Sequence, residues 1–549
     1  MKYQGGKMKL KKTHKILALL LVAILTLSLL TACGGKTGTS PSAAPASGAA
    51  PASDAATASS AAPASTEPSK APVDPNRALN VQVTQDSGTL YPLLVTGGFF
   101  TTMYTFYEPL FDTNSDGSRE WKLATGFDRI SDIEYTLTLR QGVKFSNGNP
   151  LTAEDVMFTM ETCKANPQFA LNVKVVDFDK TKVTGDYTID LWYTTYNASQ
   201  EPGFAQMLIM DKESYDETAL GTQPIGTGPY VVTDYVTNSH LKVTARDDYW
   251  GGTPKIKNIN FKVINEPAQV INAIETKEVD MATITVNDAD YIKSLGYNVV
   301  KSNGGYSDVV LFSLLDTSPL ASKEARYAVS YAIDRQAIVD IIYKGMSSVP
   351  HYPASQYTTD FEPRFNDMHD TYITGYNVDK AKEYAEKSGL TSKTVRIITN
   401  GSTTFNTMAE MIQANLLDIG VKAEISNYDQ ATYFPTIMDA KNFDIALFNP
   451  GTPSWLAIDA LAMYPTFISL GWTGPDRDKY GELSQGAIGI YDPTKRGDKI
   501  FEALKLFVEV DPWFALSEAV GVRALSTDIT GVKYMKSNSL YYQDISWAQ

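Results

Sequence analysis

The sequence predicts an α/β protein, on three observations. Tyr135 to Arg140 alternates apolar and polar side chains over six positions, the period of a half-buried strand. Thr394 to Thr399 reads as a second strand. Met408, Met411, Ile412, Leu416 and Ile419 then recur at helical spacing, Gly420 closes the helix, and Val421 to Ile425 is a strand again. Such a βαβ unit almost always has a right-handed crossover. A helix near Gln430 to Ala440 and a strand from Phe443 to Phe448 continue the alternation, so the sheets are expected to be covered by helices. No repeat of fixed period is visible, which excludes a solenoid or propeller.

Taken in order, the folded part opens on a short strand, Leu79 to Val83. Asp112-Thr113-Asn114-Ser115-Asp116-Gly117 matches the first half of a calcium loop. Its twelfth position is Leu123, where a bidentate Glu is required, and a polar hairpin turn explains the same residues. Asn147-Gly148 marks a turn, and Thr152-Ala153-Glu154-Asp155 resembles a capping box opening a helix. Cys163, following Phe158-Thr159-Met160-Glu161-Thr162, is expected to be a buried small side chain rather than a nucleophile. Gly226-Thr227-Gly228-Pro229-Tyr230 lacks the third glycine of a dinucleotide loop and suits a turn into a strand.

Ahead of these elements lies a different kind of sequence. Six lysines fall within the first fifteen residues, Ile16 to Leu30 is apolar, and Leu30-Thr31-Ala32-Cys33 follows. A short apolar run with a basic flank and a cleavage-like end reads as a signal peptide, not a transmembrane helix. The Leu-x-Ala-Cys ending resembles a bacterial lipobox, in which Cys33 is lipidated and becomes the new N-terminus. Residues 41–66 are Ala, Pro, Ser, Thr and Gly except Asp54, a composition that builds no core. The expected organisation is a signal peptide at 1–32 and a disordered tether at 33–77. Some forty such residues span about 35 Å r.m.s.. The protein is thus expected at the cell membrane, lipid-anchored on the extracytoplasmic face.

Charge and composition remove several functions. Lys and Arg number 48 against 62 Asp and Glu, a net charge of −14; without the six leading lysines the balance is 42 against 62, or −20. An acidic chain of this kind repels polyanions, so no nucleic-acid partner is expected. Four histidines, of which His240, His351 and His369 are scattered through the folded part, give no metal site. Cys33 and Cys163 are the only cysteines, and with Cys33 lipidated no internal disulfide forms. No P-loop, nucleophile elbow or H-E-x-x-H is present. No enzyme and no cofactor are expected.

The folded part resembles, over its whole length, the extracytoplasmic solute-binding proteins of ABC importers in the peptide/nickel family, family 5. The stretches that carry the resemblance begin with Tyr107-Glu108-Pro109-Leu110-Phe111 and Leu139-Arg140-Gln141-Gly142-Val143-Lys144-Phe145. Next is Asn147-Gly148-Asn149-Pro150-Leu151-Thr152-Ala153-Glu154-Asp155-Val156, followed by Gly226 to Tyr230 and Asp248-Tyr249-Trp250-Gly251-Gly252. Glu278-Val279-Asp280, Ala332-Ile333-Asp334-Arg335 and Phe443-Asp444 complete the set. Most are structural; Asp334 is expected to cap a helix that Gly345 ends.

The resemblance implies a two-lobed fold like that of periplasmic binding proteins, type II, of the large kind with an extra subdomain in lobe I. Lobe I is expected at 78–310 with the subdomain inserted at about 112–222, lobe II at 311–507, and a return to lobe I at 508–549. The crossovers then fall near Val310 and Val508. A small solute, an oligopeptide or another organic metabolite, is enclosed by hinge closure. The loaded monomer docks on ABC permease and ATPase subunits. A signalling receptor of the same fold without its own transporter is the alternative.

In peptide binders of the family an aspartate follows the strand matching Phe443–Phe448 and holds the peptide ammonium. Here the strand runs into Asn449-Pro450-Gly451-Thr452-Pro453-Ser454-Trp455, with Thr452 nearest the place of the aspartate and Asp459 as the next carboxylate. The expected walls of the site are therefore aromatic and backbone-polar. They are Thr96, Gly98, Phe99 and Phe100 on one lobe, and Phe448, Asn449 and Trp455 on the other.

Overall fold

Ten strands form one mixed sheet, and two long antiparallel strands at its centre, Tyr297–Phe312 and Trp513–Ser526, organise the molecule. The computed structural model describes residues 74, 76–95, 97–114, 117–350, 355–358, 360–366, 368, 375–450, 456, 458–459, 470–536 and 539–548, with backbone only at 97–100, 303–305, 363 and 430–431. On one side of the long pair the order is Met281–Ile284, Leu79–Val83, Asn258–Val263, His240–Ala245 and Tyr230–Val236. On the other it is Ile445–Phe448, Thr394–Thr399 and Lys422–Asn427.

The sequence pattern explains both halves. In the second, neighbouring residues of each strand enter different cores. Val310, Phe312, Ile397, Ile445, Leu447 and Phe514 share one cluster, while Val309, Leu311, Ile398, Ala446 and Trp513 share another on the opposite face. Side chains of a strand alternate in direction, so a strand covered on both faces reads as a continuous apolar run. Thr394–Thr399 and Lys422–Asn427 pair in parallel, joined by the helix Thr403–Asp418. Gly420 sits at φ +78°, the left-handed turn its missing Cβ permits. The helix from Gln430 stops at Ile437, before Ala440, because Asp439 accepts the Lys441 N–H at 3.1 Å and opens a separate 3-10 turn, Ala440–Asn442. The following strand starts at Ile445 rather than Phe443. Asp444 is buried there and accepts three bonds of 2.9–3.0 Å from the Arg396 backbone and guanidinium.

In the first half, Glu134–Leu139 buries Tyr135, Leu137 and Leu139 on one face and lies second in an antiparallel four-stranded sheet. Its neighbours are Ala124–Arg129 and Thr188–Trp192, with Lys182–Gly185 at the far edge. Thr152 caps the helix Ala153–Ala165, and the Asp155 carboxylate accepts its N–H at 2.8 Å. The calcium-like fragment is a hairpin between Phe111–Thr113 and Arg119–Trp121, with residues 115–116 outside the described set. Asp112 is buried and accepts the Ser539 and Tyr541 hydroxyls at 2.5 and 2.9 Å, so it faces inward rather than toward a cation. A Cβ on Gly226 or Gly228 would strike the Phe106 backbone, which is why this turn into Tyr230–Val236 needs glycine. Cys163 is fully buried, and burial pushes its thiol up to about 12, which keeps it protonated and unreactive. Asp334 caps Arg335–Ile342 by accepting the Ala337 N–H at 2.9 Å; Lys344 and Gly345, both at positive φ, turn the chain away. Among the described residues no helix is long and apolar enough to cross a membrane.

Candidate functional site

The two long strands belong to both halves of the sheet. Val522 to Leu525 pairs with Met281–Ile284 on one side, whereas Val309 to Phe312 pairs with Ile445–Phe448 on the other. The register between the long strands breaks twice, between Asn303 and Ser307 and again between Asp308 and Val309. The chain therefore passes from one half to the other at the break, and back again through Ser517 to Gly521. The break lies a few residues before Val310. Val508 is on the helix Pro493–Val510 that precedes the returning strand.

Two serine–acid pairs face each other at the break. Ser307 lies opposite Glu518 and Asp308 opposite Ser517, and all four residues are buried. Asp308 accepts the Ser517 hydroxyl at 2.8 Å, the Asn449 side-chain N–H at 2.9 Å and the Tyr343 hydroxyl. Glu518 accepts the Gln356 backbone N–H at 3.0 Å and lies 3.5 Å from the Ser307 hydroxyl. Around it, Glu518 N–H donates to Ser348 O at 3.0 Å and the Ser347 hydroxyl to Glu518 O at 2.6 Å. Burial pushes the Asp308 carboxyl up, against the lowering effect of its three donors. Burial likewise raises Glu518 to about 7, opposed by hydrogen bonds and reinforced by the nearby Asp308. A buried carboxyl holds its proton because low-dielectric surroundings penalise the charge.

The structure brings two of the expected site residues to this crossover. Phe448 ends the strand Ile445–Phe448, pairs with Val309 and packs half-buried against the second-half core. Asn449 follows it, and its amide nitrogen is committed to Asp308. On the other lobe, Gly98, Phe99 and Phe100 lie in the 3-10 helix Gly97–Thr105, which Met103 and Tyr104 anchor in the first-half core. Thr96, Thr452 and Trp455 lie outside the described residues, as do Cys33, His351 and His369. Asp459 is half-buried and has helical backbone. His240 pairs with Asp234 at 2.9 Å, near the sheet's outer edge. It is four strands from Trp513–Ser526, or about 19 Å at the usual strand spacing. Asp308, Tyr343, Ser517 and Glu518 were not anticipated from sequence, although a Ser-acid dipeptide inside each of two apolar strands is a readable signal.

Residues 122–467 match the bacterial extracellular solute-binding proteins, family 5 Middle. The chain belongs to this family. Its members bind solutes and are not enzymes, and they work outside the cytoplasm. The chain is 25% identical over 354 residues to the nickel-binding protein NikA of Staphylococcus aureus, covering 63% of this chain and 69% of that one. It is 24% identical over 468 residues to the glutathione-binding protein GsiB of Salmonella paratyphi A, covering 80% and 88%. The fold matches the ABC transporter substrate-binding protein CtaP of Listeria monocytogenes with a TM-score of 0.78 at 21% identity, over 86% of this chain and all of that one. The periplasmic-binding-protein-like α/β fold expected from the resemblance is therefore the observed one.

Proposed function

We propose that this solute-binding protein is the lipoprotein receptor of an ABC importer and encloses a peptide or similar small organic solute between two lobes. The observation that carries the reading is the double crossover: two paired strands link the halves, and their register breaks where the buried serine–acid box sits. Backbone irregularity at a two-strand link is where hinge rotation is absorbed. Lobe I then runs to the first break, with the four-stranded sheet as its inserted subdomain, and lobe II occupies the chain between the breaks. The likeness to the Listeria substrate-binding protein supports the transporter role, and the likeness to the glutathione-binding protein supports a small peptide as solute.

The neutral Asn449 amide governs selectivity. An amide oxygen accepts from an amide or amine N–H without a formal charge, so a free ammonium gains little over a blocked one. His240 is remote from the crossover and so is not placed to offer an imidazole to nickel there. Native mass spectrometry of the purified protein identifies co-purifying solute, and calorimetry compares free peptides, N-blocked peptides and anionic metabolites. The expected result is similar affinity for free and N-blocked forms of a bound peptide. A loss of about 2 kcal/mol or more on blocking would mean that a charge reads the amine, and Asp459 would then be the first residue to replace.

A further inference from the structure

The two halves touch at a third place, away from the long strands. The loop after Thr188–Trp192, in the four-stranded sheet of the first half, reaches the connection between the helices Pro475–Ile488 and Pro493–Val510 in the second. The Ala198 N–H donates to Ile488 O at 2.9 Å, and the Ala198 side chain packs against the second-half core. Tyr196 and Tyr491 meet edge-on, with ring centroids 5.3 Å apart and planes at 74°. The Arg129 guanidinium lies 3.9 Å from the centroid of the Tyr491 ring. Arg496 hydrogen-bonds the Tyr196 side chain and holds the connection in shape by donating to Ile490 O at 2.9 Å and Tyr491 O at 3.2 Å.

We infer that Arg129, Tyr196 and Ala198 on the inserted sheet and Ile488, Tyr491 and Arg496 on the opposite lobe form a latch that sets the balance between open and closed states before ligand binds. The inference rests on the hinge-closure reading above. The Ala198–Ile488, Tyr196–Tyr491, Tyr196–Arg496 and Arg129–Tyr491 contacts join the two halves, so a rotation at the crossover that parts them breaks these together. The backbone hydrogen bond exchanges for water at little net cost. The aromatic edge contact and the cation over the Tyr491 ring have no equivalent in water and supply the bias. Tyr491 remains 44% exposed, so the contact is a shallow clasp that opens and recloses rather than a fused interface. A ligand then works against a smaller opening population, and its apparent affinity depends on residues it never touches.

The test is single-molecule FRET on the full-length protein, with dyes attached through noncanonical amino acids at the exposed positions Lys182 and Lys479, so that both cysteines stay native. No ligand is needed. The unmodified latch is expected to give two interconverting populations with the closed one dominant. Tyr491→Ala and Arg129→Ala are expected to raise the open-to-closed ratio, by about tenfold for the tyrosine and severalfold for the arginine. Tyr196→Phe keeps the edge contact and is expected to shift the ratio less. Circular dichroism and unchanged exchange protection of Glu134–Leu139 establish that the variants are folded. Two populations whose ratio is the same in Tyr491→Ala and the parent overturn the latch and leave the hinge standing. A single population in every protein overturns the hinge and the latch with it.

Discussion

Asp308 and Glu518 are buried acids at the break between the two long strands. Each is an acid inside a strand of the central pair, tolerated because donors converge on it: from Ser517, Asn449 and Tyr343 for Asp308, and from Gln356 and Ser307 for Glu518. Glu518 also makes the fold sensitive to pH. Its carboxyl ionises near 7 in the folded protein against an ordinary 4.5, so folding takes up a proton between those values. Its contribution to stability is therefore full below about 4.5 and is lost as the pH rises through 7. Glu518→Gln removes that titration while keeping an acceptor for the Gln356 N–H. Relative to the parent, the variant is expected to gain roughly 1–3 kcal/mol between pH 5 and pH 8, read by urea unfolding at both. An equal difference at the two pH values would mean that Glu518 is ionised throughout. Asp511, likewise raised by burial to about 7, keeps its own slope in both proteins.

At the scale of single elements, local chemistry decided what could be read in advance. The helix Ala153–Ala165 is legible because its start is written in short-range side-chain pairs, and Thr394–Thr399 because Val395, Ile397 and Ile398 supply the apolar residues of a strand covered on both faces. The strand expected from Phe443 begins at Ile445; Asp444 still exchanges backbone hydrogen bonds with Arg396 and Ser313, and the apolar pattern cannot show that its carboxylate turns to hold Arg396. The serine–acid box was missed for the same reason: its partners lie some two hundred residues apart, and only the register of two strands joins them. Asp155 tests the legible case. Besides the Thr152 N–H, its carboxylate accepts the Lys212 N–H at 2.9 Å and ties the helix to the chain that follows it. Asp155→Ala is expected to cost about 1–2 kcal/mol in chemical denaturation. Asp155→Asn, which keeps one acceptor, should recover part of it. A loss below about 0.5 kcal/mol would show that water replaces both bonds.

At the scale of the whole molecule, the two-lobed plan was legible as a resemblance, whereas its mechanics were not. Family motifs such as Asn147 to Val156 are turns and caps, which identify a fold without marking where it bends. The hinge and the latch depend instead on contacts such as Ser307 with Glu518 and Ala198 with Ile488, which no local pattern announces. The proposed lipid anchor, by contrast, rests on the sequence of the first sixty-six residues: basic and apolar runs, Leu-x-Ala-Cys, then a stretch of Ala, Pro, Ser, Thr and Gly. Each buried methylene of an acyl chain adds about 0.8 kcal/mol, so more than one chain is needed for stable anchoring, which is the part the proposed lipidation of Cys33 would play. Cys33→Ser removes the only thiol that can take the lipid, because Cys163 is sealed in the core. The variant is expected to lose metabolic lipid label completely and to move from the membrane fraction to the soluble fraction, or to persist as an unprocessed precursor of higher mass. The latch and the hinge lie wholly in the folded part, so the released form should keep its solute affinity within about twofold, since nothing in the lobes changes. Retention in the membrane with the parent's mass and label would place the anchor elsewhere.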